Sequence, residues 1–183
     1  MIHKNSFIYF IPLVVIVCFL TSLFLNDKKT TSLSQPKKML AYFYLPSLFD
    51  PRISLSNQDL QGKVAILNIW GSWCPLCQAE HPVLMKIKER YGISIYGINI
   101  KDTVTDAKKW LQKAGNPYVK VGMDFNGQTI AHLGILGVPV TIILENGFIC
   151  HQYVGILDEE AFKNKLLPFI NGCNIINQYD KYH

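Results

Sequence analysis

Hydrophobic and polar positions divide most of the chain into short, recognisable segments. Val64-Ala65-Ile66-Leu67-Asn68-Ile69-Trp70 is a brief apolar, β-branched run between polar turns, which predicts a buried strand. From Pro75 to Tyr91 apolar residues recur at Leu76, Ala79, Val83, Leu84 and Ile87, close to a helical period, and Gly92 is placed to end that helix. Ile93 to Ile100 alternates as a second strand, so the three segments predict a parallel pair with a right-handed crossover. A helix over Val104 to Ala114 follows, with Thr103 as its cap and Gly115-Asn116-Pro117 as its stop. Tyr118 to Val121 is a short extended piece and Gly127 to Leu133 a weak helix. Val140 to Leu144 and Phe148 to Val154 form a hairpin about Glu145-Asn146-Gly147. Asp158 opens a last helix through Ile170, with Glu159 and Glu160 at its positive end. Ahead of these, Tyr42 to Leu45 and Arg52 to Leu55 predict a small hairpin, and Gln58 to Lys63 a polar turn. The order β-α-β-α-β-β-α predicts an α/β domain with a central mixed sheet flanked by helices, an inserted segment and an N-terminal hairpin.

The amino terminus follows a different pattern. Phe7 to Leu25 is nineteen residues without charge, long enough to cross a hydrocarbon core of about 30 Å as a helix. A removable signal peptide is the competing reading. The apolar run exceeds a signal core, and Leu23-Phe24-Leu25-Asn26 lacks the small residues of a cleavage site, which favours a retained anchor. Cys18 falls inside this span. The expected organisation is a segment 1–6, a transmembrane anchor 7–25, a polar Ser/Thr/Lys-rich tether 26–38, the α/β domain 39–171 and a tail 172–183. Lysines flank the span on both sides, so they leave its orientation undecided. At 183 residues and 49% hydrophobic, the chain has room for one domain plus that appendage. The net charge of +5 is spread along the sequence, without the clustered basic face that nucleic-acid binding wants.

The chemistry concentrates in Trp73-Cys74-Pro75-Leu76-Cys77. Pro75 suits the first helical position, where its missing N–H costs nothing, and this makes Cys74 the N-cap. Unpaired backbone N–H groups and the helix dipole then favour its thiolate. A free thiol has a pKa of about 8.5, and cysteines in such motifs fall to roughly 3.5–7.5. Cys74 is therefore the candidate nucleophile. Cys77, one turn inward and expected to be the less exposed of the two, is the candidate resolving thiol. The alternative is half of a zinc site with His81 as third ligand, although no second Cys or His pair follows. Gln78 stands where haem attachment would need histidine. Pro139, directly before a strand, is expected to be cis. Cys150 and Cys173 carry no motif, and their pairing is open.

Trp73 to His81, Gly97 to Asp102, Trp110-Leu111 with Gly115-Asn116-Pro117-Tyr118, and Gly134 to Thr141 together resemble the CcmG/DsbE family of membrane-anchored, thioredoxin-like thiol:disulfide oxidoreductases of cytochrome c biogenesis. The match covers roughly Tyr42 to Ile170. The resemblance implies a thioredoxin-like fold and a reductase on the periplasmic side of the inner membrane, held by a single span. It would keep the haem-binding cysteines of apocytochrome c, or an assembly partner, reduced. Electrons would come from a membrane thiol transporter of the DsbD or CcdA kind, with no cofactor and no nucleic acid. Cys74 and Cys77 are implied as the redox-active disulfide, and Trp73, Pro75, Val138 and Pro139 as the substrate groove. Glu80 is implied as an acid that tunes the dithiol, against a plain solvated helix glutamate. Asn68 stands where many thioredoxins bury an aspartate, and Val140 where the family commonly has glutamate. A general envelope thiol–disulfide oxidoreductase and a metal-handling thioredoxin-like binding protein using Cys74, Cys77 and His81 are the alternatives.

Overall fold

The computed structural model describes residues 38–62 and 64–170. The expected anchor 7–25, the tether up to residue 37, the tail 172–183, Cys18 and Cys173 lie outside the described residues. Among those described, no helix is long and apolar enough to cross a membrane.

A five-stranded sheet is built in the order β5-β4-β3-β6-β7. Its members are β3 (Val64–Trp70), β4 (Ser94–Ile100), β5 (Lys120–Asp124), β6 (Val140–Glu145) and β7 (Phe148–Val154). Strands β3, β4 and β5 run parallel, while β6 pairs antiparallel with β3, and β7 antiparallel with β6. A two-stranded hairpin, β1 (Tyr44–Pro46) and β2 (Ser54–Ser56), joins the edge at β5 through a bridge from Ser47 to Gly122. The helices are α1 (Pro75–Tyr91), α2 (Val104–Ala114) and α3 (Gln128–His132), then a final segment of α4 (Glu159–Ala161), a π-helical turn Phe162–Leu166 and α5 (Leu167–Ile170). The last helix is thus interrupted where one continuous helix is expected. Pro168 has no N–H to offer the carbonyl four residues back, which favours a widened turn there.

Strand β3 is central because both of its faces are covered. Its alternating side chains divide between two cores: Ala65, Leu67 and Ile69 enter one with Ile98 and Ile142. Ile66 and Trp70 enter the other with Leu84, Ile87, Tyr118, Leu157 and Phe162. The same alternation sends Asn68 toward the α1 side, where it is fully buried. Gly97 is required beside it, because a Cβ there would lie 2.9 Å from Trp70 Nε1 and 3.1 Å from Tyr118 Cδ1, where those two rings stack.

Two expectations need correction. Leu76 and Ala79 face solvent, and the buried stripe of α1 is Cys77, Glu80, His81, Leu84 and Ile87. Cys77 must point inward to meet Cys74, and the 3.6-residue period then carries two polar residues into the core. The segment expected as a plain polar turn contains a 3-10 turn, Asn57–Leu60, closed by a capping box between Ser56 and Asp59.

Candidate active site

The turn Gly71-Ser72-Trp73 carries the chain from β3 into α1, and Cys74 caps the helix with Pro75 at its first position. Cys74 and Cys77 close a disulfide with Cα atoms 5.3 Å apart. The Cys77 N–H points at the Cys74 sulfur from 3.1 Å, so the helix begins with a donor aimed at that atom. Exposure does not separate the two cysteines: Cys74 is 3% and Cys77 5% exposed. The expectation that Cys77 is the more buried therefore fails for the closed disulfide, in which each sulfur shields the other. The difference between them is electrostatic, since only Cys74 occupies the cap.

The Trp73 indole is half exposed and donates from Nε1 to the Ile100 carbonyl at 3.0 Å. It lies across Gly71, where any Cβ would come within 2.6 Å of Nε1. Gln78 Nε2 donates to the Ser72 carbonyl at 2.7 Å, closing the turn from the helix side. From the other side, Asp102 accepts the Ser72 N–H at 2.7 Å and the Ser72 hydroxyl at 3.0 Å. It also accepts Asn99 Nδ2 at 3.0 Å and the Thr103 N–H at 2.9 Å. Asp102 stood in the sequence only as part of the run from Gly97. Nothing local shows that its partner is Ser72, thirty residues earlier.

The Val138–Pro139 peptide is cis. Because β6 pairs with β3 in a register that opposes Val140 to Ile69, Pro139 stands at the end of β3 where the active-site turn starts. The loop before it holds the fully exposed Leu136 and the half-buried Val138. Val140 is itself buried in the sheet core, so the side chain after the cis-proline faces apolar neighbours.

Beneath the disulfide, Glu80 is completely buried, which rules out a solvated helix glutamate. It accepts Asn68 Nδ2 at 2.8 Å and the Leu157 N–H at 3.0 Å. Burial pushes its carboxyl up to about 7, while the Leu157 and Asn68 donors pull the other way. Asn68 also reaches Thr141 Oγ1 at 3.2 Å and accepts the Tyr118 hydroxyl at 2.8 Å. Burial, and secondarily the Glu80 carboxylate, hold the Tyr118 phenol well above its ordinary range. In the sequence Tyr118 is one residue of the Gly115-Asn116-Pro117-Tyr118 run, and only the fold brings its hydroxyl to Asn68. His81, also buried, leads elsewhere. Its Nε2 lies 3.1 Å from the Gly115 carbonyl, its ring meets the Trp110 edge, and burial lowers its pKa. Among the described residues no group of three or more His, Cys, Asp or Glu side chains could hold a metal.

The Redoxin family model matches residues 21–166 of the chain. The thiol:disulfide interchange protein DsbE of Pseudomonas aeruginosa is 40% identical over 157 residues, covering 85% of this chain and 86% of that protein. The chain belongs to the DsbE family. A second member, the protein of the same description from Tatumella citrea, is 33% identical over 177 residues, covering 91% of this chain and 95% of its own. The crystal structure of a putative DsbE from Chlorobium tepidum shares the fold, with a TM-score of 0.60 at 22% identity, over 80% of this chain and 96% of that one. As a DsbE-family, thioredoxin-like protein, the chain is a thiol:disulfide oxidoreductase.

Proposed function

We propose that this protein is a membrane-tethered, periplasm-facing reductase that keeps the haem-binding cysteines of apocytochrome c, or of an assembly partner, in the thiol state. Its electrons come from a membrane thiol transporter of the DsbD or CcdA kind. The anchor is the apolar span Phe7 to Leu25, with 26–38 as the polar tether, and the cytochrome assignment rests on the family resemblance of the runs around Trp73, Gly97, Gly115 and Gly134.

The mechanism uses the reduced protein. The Cys74 thiolate attacks one sulfur of the partner's disulfide; a new S–S bond forms and the partner's other sulfur leaves as thiolate. Cys77 gives up its proton and attacks the Cys74 sulfur, closing the internal disulfide and releasing the partner as a dithiol. Two electrons pass to the partner, and the transporter returns two by the reverse exchange. Trp73, Pro75, Val138 and Pro139 form the groove that receives the partner's chain around the cysteines.

The observation that carries this reading is Glu80, buried one helical turn after Cys77 with a carboxyl near neutrality. Such an acid suits proton acceptance from Cys77 at neutral pH. Its negative charge also opposes a second charge on the reduced pair. A dithiol whose reduced form is less stabilised is the stronger reductant, the opposite of DsbA-type oxidants. The test is to trap partners with Cys77→Ala, which lets Cys74 form a mixed disulfide that is not resolved. Apocytochrome c or a cytochrome assembly protein held on Cys74 supports the proposal. A broad set of folding envelope proteins in its place would make the protein a general oxidoreductase.

A further inference from the structure

On the flank of the active-site turn opposite Pro139's strand lies an open cavity of about 820 Å³ that shares only Trp73 with the groove proposed above. One wall is Ser72 and Trp73, the two residues before Cys74. The facing wall is a single stripe of α2: Asp106, Lys109, Trp110 and Lys113, spaced three, four and seven residues from the first. Only part of this stripe is taken up by folding: α2 buries Ala107 and Leu111, and Trp110 beside them packs partly against the core and the His81 ring, which leaves Asp106, Lys109 and Lys113 exposed. Lys101 and Phe125 form the end.

The charges in this cavity are unequally committed. Both carboxylates are engaged locally: Asp102 takes two donors from Ser72 and one each from Asn99 and Thr103, and Asp106 accepts the Thr103 hydroxyl at 2.7 Å. The side chains of Lys101, Lys109 and Lys113 make no hydrogen bond or ion pair among the described residues. Lys101 is also held in place. Its backbone is left-handed, at φ 46°, its N–H bonds the Asp124 carbonyl at 3.0 Å, and its stem covers Gly127 so closely that a Cβ there would meet Cε at 2.8 Å. A non-glycine residue in that conformation is uncommon and costs free energy, and such residues concentrate at binding sites. Trp73, Trp110 and Phe125 supply aromatic surface among the three ammonium groups. Trp73 and Phe125 are each about half exposed, at 51% and 55%.

We propose that this cavity docks an acidic segment of the polypeptide partner whose disulfide meets Cys74, with an apolar side chain lodged between Trp73, Trp110 and Phe125 and carboxylates beside Lys101, Lys109 and Lys113. Charge complementarity and continuity with the Cys74 turn select this occupant. The lysines surround a concavity with aromatic walls, which fits side chains better than a flat lipid surface. The proposal rests on the thiol–disulfide reading above and adds to it the partner's chemical character.

The experiment uses the full-length protein in detergent. Two disulfide-bonded peptides differ only in carrying Asp and Glu, or Lys, around a phenylalanine beside the cysteine pair. At low ionic strength the wild type should reduce the acidic peptide with kcat/KM about tenfold above the basic one, chiefly through KM, and added salt should narrow the ratio. Lys109→Glu with Lys113→Glu should invert the preference, and the paired Gln variants should abolish it. A cysteine-free acidic peptide, titrated into the oxidised protein and followed by tryptophan fluorescence, reports docking even if no peptide is turned over. Equal kcat/KM for the two peptides, a preference that survives charge reversal, or inorganic phosphate displacing the peptide far below the ionic strength that salt requires would overturn the proposal. The last of these would mark a small-anion site.

Discussion

Two acids stand on either side of the same turn, and the fold surrounds them differently. Asp102 lies at the half-buried edge and accepts four donors: the Ser72 N–H and hydroxyl, the Asn99 amide and the N–H of Thr103, the next residue in the chain. Glu80 lies beneath the turn, fully buried, with two donors, and its carboxyl is raised to about 7. A carboxylate supplied with enough donors serves as a fixed anchor for backbone. One taken out of water with too few donors is poised to take up or release a proton. The turn is therefore tied down from its flank by Asp102, while Glu80 is the acid to which the proposed function assigns the Cys77 proton.

The largest effect that could break this contrast is the pH dependence of stability. Glu80's folded value lies above its ordinary 4.5, so the folded chain keeps this proton after the unfolded chain has lost it. That contribution is present in full below about pH 4.5 and is lost as pH rises through about 7. A shift of this size corresponds to about 3 kcal/mol. Denaturation of the oxidised protein at pH 5 and pH 8 should differ by that order, and Glu80→Gln should flatten the difference. An unchanged slope in the variant would place the titration elsewhere.

Next in size is the effect of Glu80→Gln on chemistry. Release of the mixed disulfide should slow about a hundredfold, and its pH profile should lose the inflection near 7. Rapid-quench measurement of the mixed disulfide reads this directly. A normal rate would reduce Glu80 to a packing role. The smallest effect is expected from Asp102→Asn, which offers one acceptor oxygen and turns an amide N–H toward existing donors. It should cost about 1–2 kcal/mol while leaving the Glu80-linked pH dependence in place. If that dependence also moved, the two acids would not be independent.

The same contrast separates what was legible in the sequence from what was not. The bounds of β3, α1 and α2 follow from local signals: a β-branched run, Pro75 and Gly92 at the helix ends, Thr103 before a helical period. The inward face of α1 did not follow. Glu80 and His81 are polar, and a reading based on hydrophobic residues turned the helix toward Leu76 and Ala79. Glu80 could be named from family resemblance, but its burial could not. That depends on Leu157, seventy-seven residues later, closing over it with a backbone N–H. Asp102 and Tyr118 lie in runs that carry the family resemblance, but their partners Ser72 and Asn68 are thirty and fifty residues away.

By itself, the sequence determined the elements, the cysteine at a helix cap and the proline before β6, because each depends on neighbours within a few positions. Only the tertiary structure decided which acid would be anchored and which starved of donors. It also decided that α2 would turn lysines and a tryptophan toward Trp73. Burial and donor count are set by segments far apart in the chain, and their sum is what gives a carboxylate or an ammonium group its work.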